Sequence, residues 1–332
     1  MSGLLPPIQN NHSGKERRIG VEIEFAGVDP NTVLAMIVEL YGGTSQENHL
    51  FDYIVQDSSL GDFILELDSS QFKSLGDSIS EFKEGGPPSQ SESMALPILS
   101  KVAESLVPWE IVTAPIALSD YEKLLPLVSS LRKAGALGTR HSLYYAFGLH
   151  LNPEVPELSS ETILCYLRAY CCLYDWIDDK EKVDWVRKIT PYIRHFDKDY
   201  ILHILPSDYQ PDMNQLIDDY LFFNPTRNRS LDMLPLFTFI DEQHVRATIK
   251  DKRVNARPTF HYRLPNCDID NPNWNVDYPW LLWLEVEKLA NDKNKLSEMC
   301  SAYLQDLDRL THSIDNQWLK KLNHYFDKQV QT

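Results

Sequence analysis

Through the first half of the chain, apolar side chains recur at every second position, the period of a strand with one buried face. In residues 20–26 (GVEIEFA), Val21, Ile23 and Phe25 share one face, and Glu22 and Glu24 share the other. The same alternation sets Phe63, Leu65 and Leu67 against Glu66 in 62–68, and Trp109 and Ile111 against Glu110 in 109–114. In 144–152, Phe147, Leu149 and Leu151 oppose His150 and Asn152; in 259–264, Phe260, Tyr262 and Leu264 oppose His261 and Arg263. A further strand is expected at 51–56, joined to 62–68 by a short polar turn.

Between these segments the spacing is helical. Asp29-Pro30-Asn31 opens a helix over 30–40 that Gly42-Gly43 closes. Ser159 is a natural cap for an apolar helix running to about 177. Helices are also expected at 94–106 and 119–133, in several short pieces across 180–250, and at 277–292 and 294–326. Residues 84–93 (EGGPPSQSES) read as a loop. Irregular alternation of strands and helices, with some strands in hairpins, predicts an α+β fold. Its core is a mostly antiparallel sheet backed by helices rather than a doubly wound parallel sheet. Residues 1–17 read as a flexible arm, and 18–332 as a single domain with a helical segment at about 159–250.

The polar faces carry the chemistry. A solvated sheet face ordinarily mixes Thr, Lys and Ser, whereas these five strands present carboxylate, imidazole and guanidinium. Carboxylates from three strands repel one another unless a cation neutralises them. Glu22 and Glu24 stand about 6.5–7 Å apart along one strand face, a spacing that suits one or two hard divalent ions. Oxygen-rich sites of this kind select Mg²⁺ or Mn²⁺ and bind substrate phosphates.

Charge sharpens the picture. The 332 residues hold 32 basic and 48 acidic side chains, a formal charge of −16. That acidity argues against nucleic acid or an anionic membrane as partner. Residues 225–265 depart from it, with eight basic residues (Arg227, Arg229, Arg246, Lys250, Lys252, Arg253, Arg257, Arg263) against four acidic ones. Arginine at this density suits bidentate recognition of phosphate or carboxylate. No apolar run approaches the roughly 20 residues that span a bilayer, and residues 1–10 lack the pattern of a secretion signal. The five cysteines include no C-x-x-C pair, which argues against structural zinc. A reducing, cytoplasmic location is expected.

The ordered segments GVEIEF (20–25), DSSL (57–60), EIVTAP (110–115), GLHLN (148–152) and YRLP (262–265) resemble the amidoligase family. These are carboxylate–amine ligases related to glutamate–cysteine ligase and glutamine synthetase. NPTRNRSLDMLPLF (224–237) and RPTFHYRLPN (257–266) are similar to its bacterial branch, so the likeness spans roughly 18–270. The resemblance implies a glutamine synthetase/guanidino kinase-like catalytic domain: a curved, mostly antiparallel sheet with helices on its outer face and the active site on the other. It implies ATP with Mg²⁺ (or Mn²⁺), phosphoryl transfer to a carboxylate, and displacement of phosphate by an amine to form an amide. Glu22, Glu24, Glu66, Glu110 and His150 are then metal-binding, with Glu22, Glu110 and Arg263 catalytic. Arg227, Arg229, Arg263 and His150 face the nucleotide; Asp57, Ser59, Asn152 and His261 face substrate. His261 stands where many relatives carry glutamate. Substrates would be a small-molecule or peptide carboxylate and an amine, with an amidotransferase or peptide ligase as pathway partner. Two alternatives are a phosphotransferase of the same fold and a non-catalytic scaffold.

Overall fold

The computed structural model describes residues 3–49, 51–67, 109–139, 147–183, 193–309 and 315–330. The loop expected at 84–93 and the helix expected at 94–106 lie outside them, as do residues 144–146 of an expected strand.

The alternating segments form one nine-stranded sheet. Its strands are β1 (Arg18–Phe25), β2 (Thr44–His49), β3 (Asp52–Gln56), β4 (Phe63–Leu67), β5 (Trp109–Thr113), β6 (Ile116–Ala117), β7 (Leu149–Pro153), β8 (Leu231–Asp232) and β9 (His261–Tyr262). They lie in the order β2-β3-β4-β5-β1-β7-β9-β8, and β6 pairs the start of β1. Every pairing is antiparallel. Ten helices complete the described structure: α1 (Pro30–Tyr41), α2 (Leu125–Lys133), α3 (Ser160–Glu181), α4 (Lys198–Ile204), α5 (Met213–Phe223), α6 (Leu234–Ile240), α7 (Glu242–Thr248), α8 (Asp277–Ala290), α9 (Lys293–Leu307) and α10 (Gln317–Val330). Among the described residues, no helix is long and apolar enough to cross a membrane.

The apolar strand face forms the core. Val21, Ile23, Phe25, Leu65, Ile111, Leu149, Leu151 and Tyr262 are completely buried. Helix α1 packs on one half of that face, with Tyr41 stacked on Phe63 at 5.3 Å. Helices α3 and α8 cover the other half through Tyr166 on Phe260 (4.7 Å) and Trp283 against Tyr262 (5.2 Å). Caps form where expected. Asp29 accepts from Asn31 N at 2.9 Å, and the Ser159 hydroxyl accepts from Thr162 N at 3.2 Å.

Some elements differ from expectation for local reasons. Strand β2 (TSQENH) has no apolar alternation; it is an edge strand, where polar side chains on both faces block further pairing. The helix expected at 119–133 begins as a tight 3₁₀ segment over Leu118–Leu124. It becomes α-helical at Leu125, with Pro126 in the first turn, where its missing N–H costs nothing. The 294–326 helix divides into α9 and α10.

Residues 3–17, expected as an arm, are held along the body. Trp280 Nε1 donates to Leu4 O at 2.8 Å, and Arg17 is wholly buried. Its guanidinium meets Glu287 of α8 through two parallel hydrogen bonds, 2.7 and 3.0 Å, and also reaches the carbonyls of Ile8 and Glu154. Glu287 accepts further from the Tyr166 hydroxyl and from Trp283 Nε1 (3.1 Å). All five cysteines are free thiols.

Candidate functional site

Strand register assembles the polar face. Glu22 lies directly opposite His150, while Glu24 lies opposite Glu110, itself opposite Glu66, which is opposite Asp52. Carboxylates from β1, β5, β4 and β3 thus form one row, with neighbouring strands about 4.8 Å apart. On the other side of β1, Glu22 and His150 begin a second row that continues toward Arg263.

Side chains converge around His150. Its Nδ1 is 2.8 Å from Glu22 Oε2 and 3.9 Å from Glu110 Oε1, and its Nε2 is 3.6 Å from Glu24 Oε1. The other oxygen of Glu24 accepts from Gly148 N at 2.6 Å, which fixes the carboxylate plane. Two groups have donor atoms close enough to hold a metal ion: Glu24, Glu110 and His150, and Glu22, His150 and His261. Asn152 links the second group, its Nδ2 donating to Glu22 Oε1 at 2.9 Å and its Oδ1 lying 2.6 Å from His261 Nδ1. Arg257 closes the cluster, with Nη1 3.3 Å from Glu22 Oε1 and Nη2 3.1 Å from His261 Nδ1.

Electrostatics follow from this packing. Burial opposes ionisation of Glu22, but the His150 hydrogen bond and surrounding positive charge outweigh it and hold the carboxyl well below its usual range. Burial, reinforced by Arg257, pushes His261 well below the ordinary histidine range, so its imidazole is neutral.

The family model described as "Putative amidoligase enzyme" matches residues 15–285, which include every strand of the sheet. The chain belongs to the amidoligase family. No curated protein and no solved structure matches it.

Other expected site residues of this amidoligase fall in several places. Arg263, just beyond β9, is buried; its Nη1 donates to Arg227 O at 2.7 Å, and its charge acts on both His261 and Asp232. Arg227 lies beside it, its pKa lowered by burial and by Arg263. Arg229 does not join them. Its Nη1 donates to His195 O at 2.6 Å and its Nη2 to Asp197 at 2.8 Å, so it braces the segment before α4. Asp57 and Ser59 lie in the exposed β3–β4 turn, at the opposite end of that hairpin from Asp52 and Glu66. There Asp57, at φ 58°, donates its N–H to Asp62 Oδ1 at 3.1 Å, and Ser59 N donates to Tyr41 O at 2.8 Å.

Three residues join the polar face without having been given a site role from the sequence: Asp52, Arg257, which counts there only among the basic residues of 225–265, and Asp232. Asp52 opens β3, where Tyr53, Ile54 and Val55 are consecutive apolar residues and hide the alternation; Asp232 lies in a two-residue strand, and Arg257 precedes its strand. Asp232 lies opposite His261 and is 2% exposed. Burial raises its pKa to about 6 against the pull of Leu234 N and of Arg263, Arg227 and Arg257. A carboxyl raised in the folded state binds its proton more tightly there than when unfolded. Stability from this group is therefore full below about pH 4 and is lost as pH rises through 6. Relative to wild type, Asp232→Asn is expected to gain about 1 kcal/mol of stability between pH 5 and pH 8. Urea unfolding at the two pH values measures this, and equal differences at both would contradict it.

A cavity of about 600 Å³ lies elsewhere, between α3, α9 and the segment joining α4 to α5. Of its lining cations, Arg168 is engaged by the carbonyls of Ile204, Pro206 and Tyr209, and Lys293 by Glu161. None of the acid-bearing strands lines it.

Proposed function

We propose that the polar face is the active site of an ATP-dependent carboxylate–amine ligase. The observation that carries this reading is the pair of side-chain groups around His150 whose donor atoms lie close enough to hold a cation, set beside Arg227, Arg257 and Arg263. The group of Glu24, Glu110 and His150, with Glu66 next in the row, fits Mg²⁺, which favours oxygen donors and keeps waters that phosphates can replace. Mg²⁺ held there would supply positive charge to the nucleotide phosphates.

The protein's own residues do the positioning. Glu24, locked by Gly148 N, and Glu110 present oxygens from adjacent strands whose spacing the sheet holds rigid. Arg263 and Arg227 steady the charge that spreads over the transferring phosphoryl group, and Arg257 orients a carboxylate or phosphate oxygen above Glu22. Phosphoryl transfer depends on such positioning more than on covalent protein chemistry. The γ-phosphoryl passes to a carboxylate oxygen of the first substrate, releasing ADP. The amine nitrogen then attacks the acyl carbon, the bond to phosphate breaks, and amide, phosphate and a proton are released.

This reading includes a glutamine synthetase-like domain over residues 18–332, a cytoplasmic setting, and an amidotransferase or peptide ligase in the same pathway. Carboxylates and amines, screened as amino acids, peptides and polyamines with ATP and Mg²⁺ or Mn²⁺, test it by ADP release. Release requiring both a carboxylate and an amine is the expected result. Release with a single acceptor would instead make the protein a phosphotransferase. No release with any pair, together with no calorimetric binding of Mg·ATP, would leave a non-catalytic protein.

A further inference from the structure

We infer that Glu22, His150 and His261 form a second cation position that takes a borderline transition metal of the Zn²⁺ or Co²⁺ kind in preference to Mg²⁺. The inference concerns which metal binds and stands apart from the reaction proposed above.

Donor chemistry is the first argument. One ligand atom from each of the three side chains lies within 4.8 Å of the other two. Two of the three are imidazole nitrogens. Mg²⁺ demands near-octahedral oxygen coordination and dehydrates reluctantly, whereas imidazole suits Zn²⁺, Co²⁺ and their neighbours. The group of Glu24 and Glu110 offers mainly carboxylate oxygen, so the two positions differ in hardness although they lie on one sheet face.

The second argument is how the ligands are held. Asn152, 3% exposed, touches both Glu22 and His261. Its amide nitrogen must face Glu22, because the carboxylate can only accept. Its carbonyl oxygen therefore faces His261 Nδ1 at 2.6 Å, a hydrogen bond that forms in the tautomer with its proton on Nδ1; in that tautomer Arg257 Nη2, 3.1 Å away, does not donate to the same nitrogen. With the proton on Nδ1, Nε2 is the nitrogen of His261 that carries a lone pair. A carbonyl holding the far N–H of an imidazole is the outer-shell arrangement that orients histidine ligands in metal sites. The same amide secures Glu22 by Oε1 and leaves Oε2 directed at His150. Arg257 also approaches Oε1, not the oxygen facing His150. His150 can serve both positions in turn, since Nδ1 faces Glu22 and Nε2 faces Glu24.

The test uses chelator-stripped full-length protein without nucleotide. Co²⁺ is titrated while its visible absorption is recorded, then challenged with Zn²⁺ and with Mg²⁺ in large excess. One equivalent of Co²⁺ is expected to develop a visible band that Zn²⁺ removes and Mg²⁺ does not. Asn152→Ala keeps every proposed ligand yet is expected to weaken Co²⁺ binding about 10–100-fold. His261→Ala is expected to weaken it at least that much. His261→Glu, which restores an oxygen donor, should lose Co²⁺ affinity and gain Mg²⁺ affinity, measured by calorimetry. Circular dichroism of each variant establishes that it is folded. Wild-type Co²⁺ affinity in folded His261→Ala, displacement of Co²⁺ by Mg²⁺, or no binding of Co²⁺ or Zn²⁺ to wild type would each overturn the inference. Failure to find ligase substrates would leave all of these readings unchanged.

Discussion

Glu287→Ala is expected to lower the stability of the protein by about 3–5 kcal/mol, a fall in melting temperature of roughly 4–7 °C for a chain of this length. The magnitude comes from what the substitution strands. Arg17 and Glu287 both have side chains with no solvent exposure, so the guanidinium would lose its bidentate partner in a place water does not reach. The Tyr166 hydroxyl and Trp283 Nε1 would lose the same acceptor. Replacing both charges, Arg17→Met with Glu287→Leu, removes the stranded guanidinium and is expected to recover part of the loss, since the Tyr166 hydroxyl and Trp283 Nε1 still lack their acceptor. Thermal unfolding of the two variants checks this. A single variant as stable as wild type would show that the clamp on residues 3–17 is energetically idle.

Glu110→Gln is expected to separate stability from activity. In the metal-free protein, Glu110 faces Glu24 on one neighbouring strand and Glu66 on the other. Like charges directly opposite across strands are destabilising, so the neutral amide should leave the melting temperature unchanged or slightly higher. The same change removes an oxygen anion from the proposed Mg²⁺ group. ADP release with a working substrate pair should fall on the order of 10²–10³-fold, the usual effect of deleting one preorganised electrostatic contact. Steady-state kinetics and a melting curve on one preparation supply both readings. Turnover within a factor of about three of wild type would remove Glu110 from the proposed site.

Much of the sheet was legible because alternation is local. Val21, Ile23 and Phe25 could be placed on the buried face, and Glu22 and Glu24 on the other, from β1 alone. The helix caps at Asp29 and Ser159 were legible for the same reason, since capping joins residues two or three apart. Strand β2 was not legible, because an edge strand is stabilised by backbone pairing and its side chains need no pattern. Strands β6 and β8 are two residues each, too short for any period to register.

The site divides along the same line. Its residue types, and the face each occupies, follow from a two-residue period that side-chain geometry imposes on any strand. Which side chains meet does not follow, because neighbour and register are settled by contacts far apart in the chain. Glu22 reaches His150 across 128 residues and Arg257 across 235. Arg229 shows the converse: it lies in the same basic segment as Arg227 and Arg263, yet its guanidinium is engaged by His195 and Asp197. The Asn152 bridge, the burial that raises Asp232, and the grouping of His261 with Glu22 and His150 exist only once β7, β8 and β9 lie side by side. Sequence alone determined a set of carboxylates, imidazoles and arginines on one face of a sheet. Tertiary structure decided their partners, because hydrogen bonds, desolvation and metal coordination depend on separations of a few ångströms that only chain packing sets.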